Sequence, residues 1–235
     1  MTSDVRSGGE MITYPSAGGT GEGYLVTPPG GSGPGVIVIQ EWWGLVGHVK
    51  NVADRLAAAG FVALAPDLYH GVATGEPDEA RRLLMGLAMD GAARDIAGAA
   101  AHLSGLESVL GRGIGAVGFC MGGSLALWSA TLDAPIVAAV GFYPAVPWER
   151  MDPAWPSYRG RSAMIHCSEG DGTSAAPGIR TAVTAITEAG GSVEVFDYPG
   201  TQHAFVNDDR PEVYDAEAAG VAMQRTLDFL TAHLR

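Results

Sequence analysis

The stretch Gly113-Ile114-Gly115-Ala116-Val117-Gly118-Phe119-Cys120-Met121-Gly122-Gly123-Ser124 decides the fold. Gly113–Phe119 reads as a buried strand and Ser124–Thr131 as a helix. Between them lies Gly118-x-Cys120-x-Gly122, a sharp strand-to-helix turn with Cys where a serine nucleophile often stands. The central residue of such a turn has a strained backbone, and side chains two positions away on either side would collide, so both positions are glycine. The turn aims the sulfur outward and places it at a helix N-terminus, whose partial positive charge favours thiolate. It also points the Met121 N–H at the place where an oxyanion would form. An isolated Cys reads as core; here the glycines, the strand and the helix together favour a nucleophile. Cys167 lies inside Ala163-Met-Ile-His-Cys with no such glycines, and reads as core.

Outward from this turn, strands and helices alternate. Gly35–Gln40 and Phe61–Ala65 are short, continuously apolar runs, the pattern of strands buried on both faces of a parallel sheet. Ile136–Phe142, Ala163–Cys167 and Ser192–Tyr198 add further strands. Helices are expected from about His48 to Ala59, ended by Gly60, and from Asp78 to Leu106 in two pieces around Asp90-Gly91. Two more are expected over Ile179–Ala189 and over Pro211–Leu234, the last with Pro in its first turn. Met11–Pro15 and Gly23–Pro28 read as an antiparallel start. The expectation is one α/β domain over residues 1–235, with 1–10 a flexible tail. Its mostly parallel, doubly wound sheet lies between helices in three α/β/α layers, as in the α/β-hydrolase fold. Ligands of such sheets sit beyond the carboxyl ends of the strands.

Triads on this scaffold run nucleophile, acid, histidine along the chain. Of the later histidines, His233 is expected to be solvated and His166 to be an interior strand residue. His203 follows the last strand in Pro199-Gly-Thr-Gln-His-Ala-Phe205, where a base belongs. Asp171, between Gly170 and Gly172 past a strand end, is the favoured orienter of His203, over Glu169. The loop Gln40-Glu41-Trp42-Trp43-Gly44 follows the first parallel strand and is expected to supply a second oxyanion N–H from Trp42. Trp42, Trp43 and Tyr143 suggest an aromatic pocket wall.

The formal charge of −12 leaves no basic stripe for phosphates, which argues against a nucleic-acid partner. The apolar share of 47% allows a large core. No signal peptide or membrane span is read, so a cytoplasmic monomer or homodimer acting on a small molecule is expected. No metal-ligand cluster is read. Gly111-Arg-Gly-Ile-Gly115 precedes a strand rather than following one, so no dinucleotide cofactor is expected.

Gln40-Glu41…Gly44, Pro66-Asp67-Leu68-Tyr69, Gly118-Phe119-Cys120-Met121-Gly122-Gly123, Gly170-Asp171 and His203-Ala204-Phe205 occur in that order. In this the chain resembles the dienelactone hydrolase family (carboxymethylenebutenolidases) from about Met11 onward. The resemblance implies a lactone or activated-ester hydrolase with Cys120 as nucleophile, His203 as base and Asp171 as orienter. It also implies that Glu41 neighbours the thiol and helps activate it when substrate binds. Family members that bind dienelactone carry two arginines for its carboxylate. Arg81, or its neighbour Arg82, could fill one position; the other is Asn207, which lacks the charge, and Arg210 lies three residues on. A neutral-ester carboxylesterase and a non-enzymatic ligand receptor on the same scaffold are the rival expectations. Cleavage of a carbon–halogen bond is disfavoured, since that chemistry on this fold uses a carboxylate nucleophile.

Overall fold

The structure, a computed structural model, describes residues 8–235. The part of the expected tail before Gly8 lies outside the described residues. The rest of it is not tail: Gly9 donates its N–H to the Tyr24 hydroxyl at 2.7 Å, and the first strand starts at Glu10.

Eight strands form one sheet: β1 (Glu10–Ser16), β2 (Gly19–Val26), β3 (Gly33–Ile39), β4 (Val62–Pro66), β5 (Val109–Phe119), β6 (Ile136–Phe142), β7 (Ser162–Ser168) and β8 (Ser192–Tyr198). Their order across the sheet is β1-β2-β4-β3-β5-β6-β7-β8. β1 pairs antiparallel with β2, and β2 antiparallel with β4; every later pairing is parallel. The mixed sheet follows from its connections. A short turn joins β1 to β2, whereas each parallel pair needs a longer crossover.

Helices cover both faces. Even-numbered side chains of β3 (Val36, Val38) face one core, together with α1 (Gly47–Ala58) and α6 (Ala216–Leu234). Odd-numbered ones (Ile37, Ile39) face the other, with α3 (Met89–Ser104), α4 (Met121–Ser129) and α5 (Pro177–Glu188). This period-two division is what a strand buried on both faces requires.

Three helix boundaries differ from expectation. The break in the long helical region falls at Leu87-Ala88, between α2 (Pro77–Gly86) and α3, not at Asp90-Gly91. Both Leu87 and Ala88 have extended backbones. Asp90 sits in the first turn of α3, where a negative charge is favourable, so Asp-Gly opens the helix rather than ending one. The helix after the elbow begins directly at Met121, and all of its residues are buried. The C-terminal helix begins at Ala216, not Pro211. Asp215 caps it by accepting from the Ala218 N–H at 2.9 Å, and Pro211 lies in the preceding turn.

Candidate active site

Cys120 stands between β5 and α4 with φ 56° and ψ −117°, a left-handed value that a residue with a Cβ rarely adopts. Two glycines make this possible. A Cβ on Gly118 would lie 1.9 Å from the Gly122 carbonyl oxygen. One on Gly122 would lie 2.3 Å from that of Ile39, at the end of β3. The turn is therefore packed against a neighbouring strand end, which fixes the direction of the Cys120 side chain. Its backbone is tied down as well: Cys120 N–H donates to Phe142 at 3.0 Å, and Ala145 N–H donates to the Cys120 carbonyl at 3.2 Å. Met121 is the first residue of α4, where a backbone N–H has no partner within the helix.

His203 and Asp171 come from the loops after β8 and β7. The Gly170 N–H donates to the Thr201 carbonyl at 3.0 Å and brings the two loops together. His203 Nδ1 then lies 2.8 Å from Asp171 Oδ2, and the Ser168 hydroxyl donates to the same oxygen at 2.5 Å. Partial burial opposes ionisation of Asp171, but the hydrogen bonds from His203 and Ser168 hold its carboxyl below the usual carboxylate range. Burial likewise opposes a charge on His203; hydrogen bonds to Asp171 and to Cys120 outweigh it and push the imidazole up to about 10. With Nδ1 taken by Asp171, Nε2 is the ring nitrogen left for the thiol. Glu169 is not a competitor, because its carboxylate accepts from the Gly200 N–H at 2.6 Å.

Glu41 and Tyr143 back this group. Glu41 is 1% exposed; its Oε2 accepts from Asn207 Nδ2 at 2.8 Å, and among the described residues its Oε1 has no partner. Burial raises its pKa, against the counter-pull of His48, Asn207, His203 and Arg210. Tyr143 is not a wall of an open pocket. It is buried with φ 37°, its ring centroid 4.9 Å from that of His203 and its hydroxyl unpartnered among the described residues. Burial keeps that hydroxyl un-ionised, reinforced by Glu41, Cys120 and Asp171. Ala204, beside His203, also has positive φ. Such strain persists only where the surroundings over-determine it.

The remaining cysteine and histidines have structural places. Burial pushes the Cys167 thiol up to about 12, and Asp197 and Asp171 add to the effect. His166 is fully buried between the Tyr198 hydroxyl (2.8 Å) and the Thr226 hydroxyl (3.0 Å). His233 is half-buried rather than solvated, against Phe229 and within 3.3 Å of the Ser162 hydroxyl. Among the described residues no group of three or more His, Cys, Asp or Glu side chains could hold a metal ion, and no helix is long and apolar enough to cross a membrane.

A model of the dienelactone hydrolase family matches residues 22–234. The chain belongs to the dienelactone hydrolase family. It is 30% identical over 239 residues to protein usf of Aquifex pyrophilus, covering 96% of this chain and 99% of that one. It is also 30% identical over 240 residues to a protein of Aquifex aeolicus provisionally named a carboxymethylenebutenolidase, covering 97% and 100%. Among solved structures, a dienelactone hydrolase-like promiscuous phosphotriesterase from metagenomic libraries superposes with a TM-score of 0.81. It shares 22% identity, covering 97% of this chain and 98% of that one. The fold is thus that of the α/β-hydrolases, and the chain is a hydrolase of this family.

Within the family fold, the residues considered for substrate binding are divided between an exposed helix face and two clefts. Arg81 is exposed on α2. Arg82 pairs with Glu79 and lines a cleft of about 340 Å³ with Leu68 and Tyr69, whose hydroxyl lies 3.4 Å from Met121 Sδ. Trp43 lines a different cleft of about 410 Å³ with His48, Asn207 and Arg210. Trp42 stacks edge-on against Trp43 at 4.9 Å. Asn207 is committed to Glu41, and Arg210 to Glu212 at 2.9 Å. Three contributors were not evident from sequence: Ser168, His48 and Asp208. Only Ser168, three residues before Asp171 at a strand end, carried a local signal.

Proposed function

We propose that this hydrolase cleaves a lactone or activated ester by acyl transfer through a thioester on Cys120. The observation that carries the reading is the strained elbow cysteine together with His203, whose Nδ1 rests on Asp171 and whose pKa is raised by Asp171 and Cys120. In the proposed first step the Cys120 thiolate bonds to the carbonyl carbon, and the oxygen anion takes hydrogen bonds from the Met121 and Trp42 N–H groups. Collapse breaks the carbon–oxygen bond, and the leaving oxygen takes the proton from His203. His203 Nε2 then removes a proton from water, the hydroxide adds to the thioester, and the thiolate departs with the carboxylate product formed. Asp171 holds the tautomer and balances the imidazolium. Glu41 is assigned the activation of the thiol on substrate binding.

One observation bears on the substrate. The position that carries a carboxylate-binding arginine in dienelactone-binding relatives is Asn207, already bonded to Glu41, and Arg210 is paired with Glu212. This favours a substrate neutral on that side, and with it carboxylesterase activity on neutral esters.

The test is hydrolysis of p-nitrophenyl acetate and of neutral and carboxylated lactones by wild type and Cys120→Ala, with intact-protein mass after a rapid quench. An acetyl adduct on wild type that is absent in Cys120→Ala supports the reading. Equal rates for the two proteins refute it, and binding of lactone without turnover would favour a receptor.

A further inference from the structure

A cleft of about 600 Å³ beside the elbow is used by neither the triad nor the oxyanion donors. One wall is the loop after β6, and the other is the start of α5, after β7. Both lie beyond the carboxyl ends of strands, where ligands of such sheets sit. The first wall is tied to the nucleophile turn. Ala145 donates its N–H to the Cys120 carbonyl at 3.2 Å, and the buried Ser124 hydroxyl of α4 accepts from the Val146 N–H at 2.9 Å. The Trp148 indole donates to the Gly178 carbonyl at 2.7 Å and joins the two walls, so the cleft is formed before a ligand arrives. Pro147, Trp148, Trp155, Pro177 and Ile179 make its surface apolar and aromatic, with Trp155 edge-on to Trp148 at 5.3 Å. Such a size and lining suit a small cyclic ligand.

Glu149 and Asp152 stand in the same lining, both exposed, and among the described residues neither makes an ion pair. No Lys, Arg or His side chain among the described residues lines the cleft. The arginines next along the chain are turned to backbone: Arg150 to the Leu84 and Leu87 carbonyls, Arg180 to that of Ala175. The start of α5 offers about half a positive charge, which two full negative charges outweigh. The sheet order sets the side as well. β3, whose loop carries Trp42, flanks β5 on one side; β6, β7 and β8 lie on the other. His203, the proton donor to the leaving oxygen, comes from that second side, and so do both walls of the cleft. We infer that this cleft holds the leaving, alcohol-side arm of the substrate, that the arm is aromatic, and that Glu149 and Asp152 favour a cationic over an anionic substituent on it. This rests on the reading of Cys120 as nucleophile and His203 as base.

The experiment is kcat/KM for vinyl acetate, which has no ring, and for phenyl acetates carrying a para trimethylammoniomethyl or a para carboxymethyl group. Wild type, Trp155→Ala, Glu149→Gln/Asp152→Asn and Cys120→Ala are compared. Each ester is judged against itself across the variants, so leaving-group reactivity cancels. Trp155→Ala should lower both aryl-to-vinyl ratios about tenfold, through lost contact with the ring. The double variant removes charge with little change of shape, and asparagine tolerates the φ of 47° at Asp152. It should lower the ratio of cationic to anionic ester about fivefold, and wild type should lose the same preference in about 1 M salt. Unchanged aryl-to-vinyl ratios in Trp155→Ala overturn the inference. So does an unchanged charge preference in the double variant, or a wild type that cleaves vinyl acetate and neither aryl ester. If Trp155→Ala fails to fold, Trp155→Leu, which keeps an apolar side chain without the ring, carries an expectation of the same direction. Wild-type rates in Cys120→Ala would sink the reading of the nucleophile instead, so the two failures are told apart.

Discussion

Asn207→Ala isolates the energetics of the buried carboxylate. Asn207 and Glu41 are 2% and 1% exposed, and among the described residues their 2.8 Å hydrogen bond is the only one the Glu41 carboxylate makes, since Oε1 has none. A hydrogen bond to a charged buried group contributes about 1.5–3 kcal/mol, and its removal leaves the acceptor desolvated and alone. For a chain of this size about 1 kcal/mol corresponds to about 2–4 °C in Tm, so a fall of about 5–10 °C is expected. The sign of the pH dependence follows from Glu41. Its folded pKa is raised, so the folded state holds a proton more tightly than the unfolded chain. The associated stability is present below the unfolded pKa and is lost as pH rises through the folded one. Asn207 opposes that loss by bonding the anion. The penalty of Asn207→Ala should therefore grow as pH rises from the mildly acidic to the mildly alkaline range. Differential scanning calorimetry of wild type, Asn207→Ala and Glu41→Gln/Asn207→Ala across that range checks it. A penalty that is flat or shrinks with pH would refute the assignment of Glu41 as the buried, titrating partner.

Other outcomes follow from the same geometry. Asp171→Asn should lower kcat by at least about two orders of magnitude with little change in KM, read by steady-state kinetics, because the histidine loses its tautomer. Iodoacetamide should label Cys120 and spare Cys167 in the native protein at neutral pH, since Cys167 is buried with its thiol pushed up to about 12; peptide mass mapping reads the sites. Gly122→Ala should destabilise the fold by several kcal/mol in urea titration, as its Cβ would sit 2.3 Å from the Ile39 carbonyl oxygen, where backbone cannot yield cheaply.

The elbow was legible because it is a local device: two glycines, a short buried strand and a helix start within a dozen residues. Asp171 and His203 were legible from their places at strand ends, where this topology gathers reactive side chains. What escaped the sequence depends on distant partners. The break at Leu87-Ala88 is marked only by Gly86, the last residue of α2, whereas the sequence places the break at the later Asp90-Gly91. His48 reads as an ordinary helix residue until Asp208, 160 positions later, fixes its ring. Asn207 reads as a lost arginine, yet in the folded chain it is the donor that keeps Glu41 from being wholly unpaired.

The bond between Glu41 and Asn207 spans 166 positions. During synthesis from the N-terminus, β3 and the Glu41 loop leave the ribosome long before the segment that will pair with them. Until then the carboxylate must stay wet or take up a proton, so the two parallel strands flanking β3 cannot seal their carboxyl ends dry. Closure of the cleft is thus a late event on the ribosome, and appearance of a reactive, correctly oriented thiol can serve as a clock for the arrival of the last quarter of the chain.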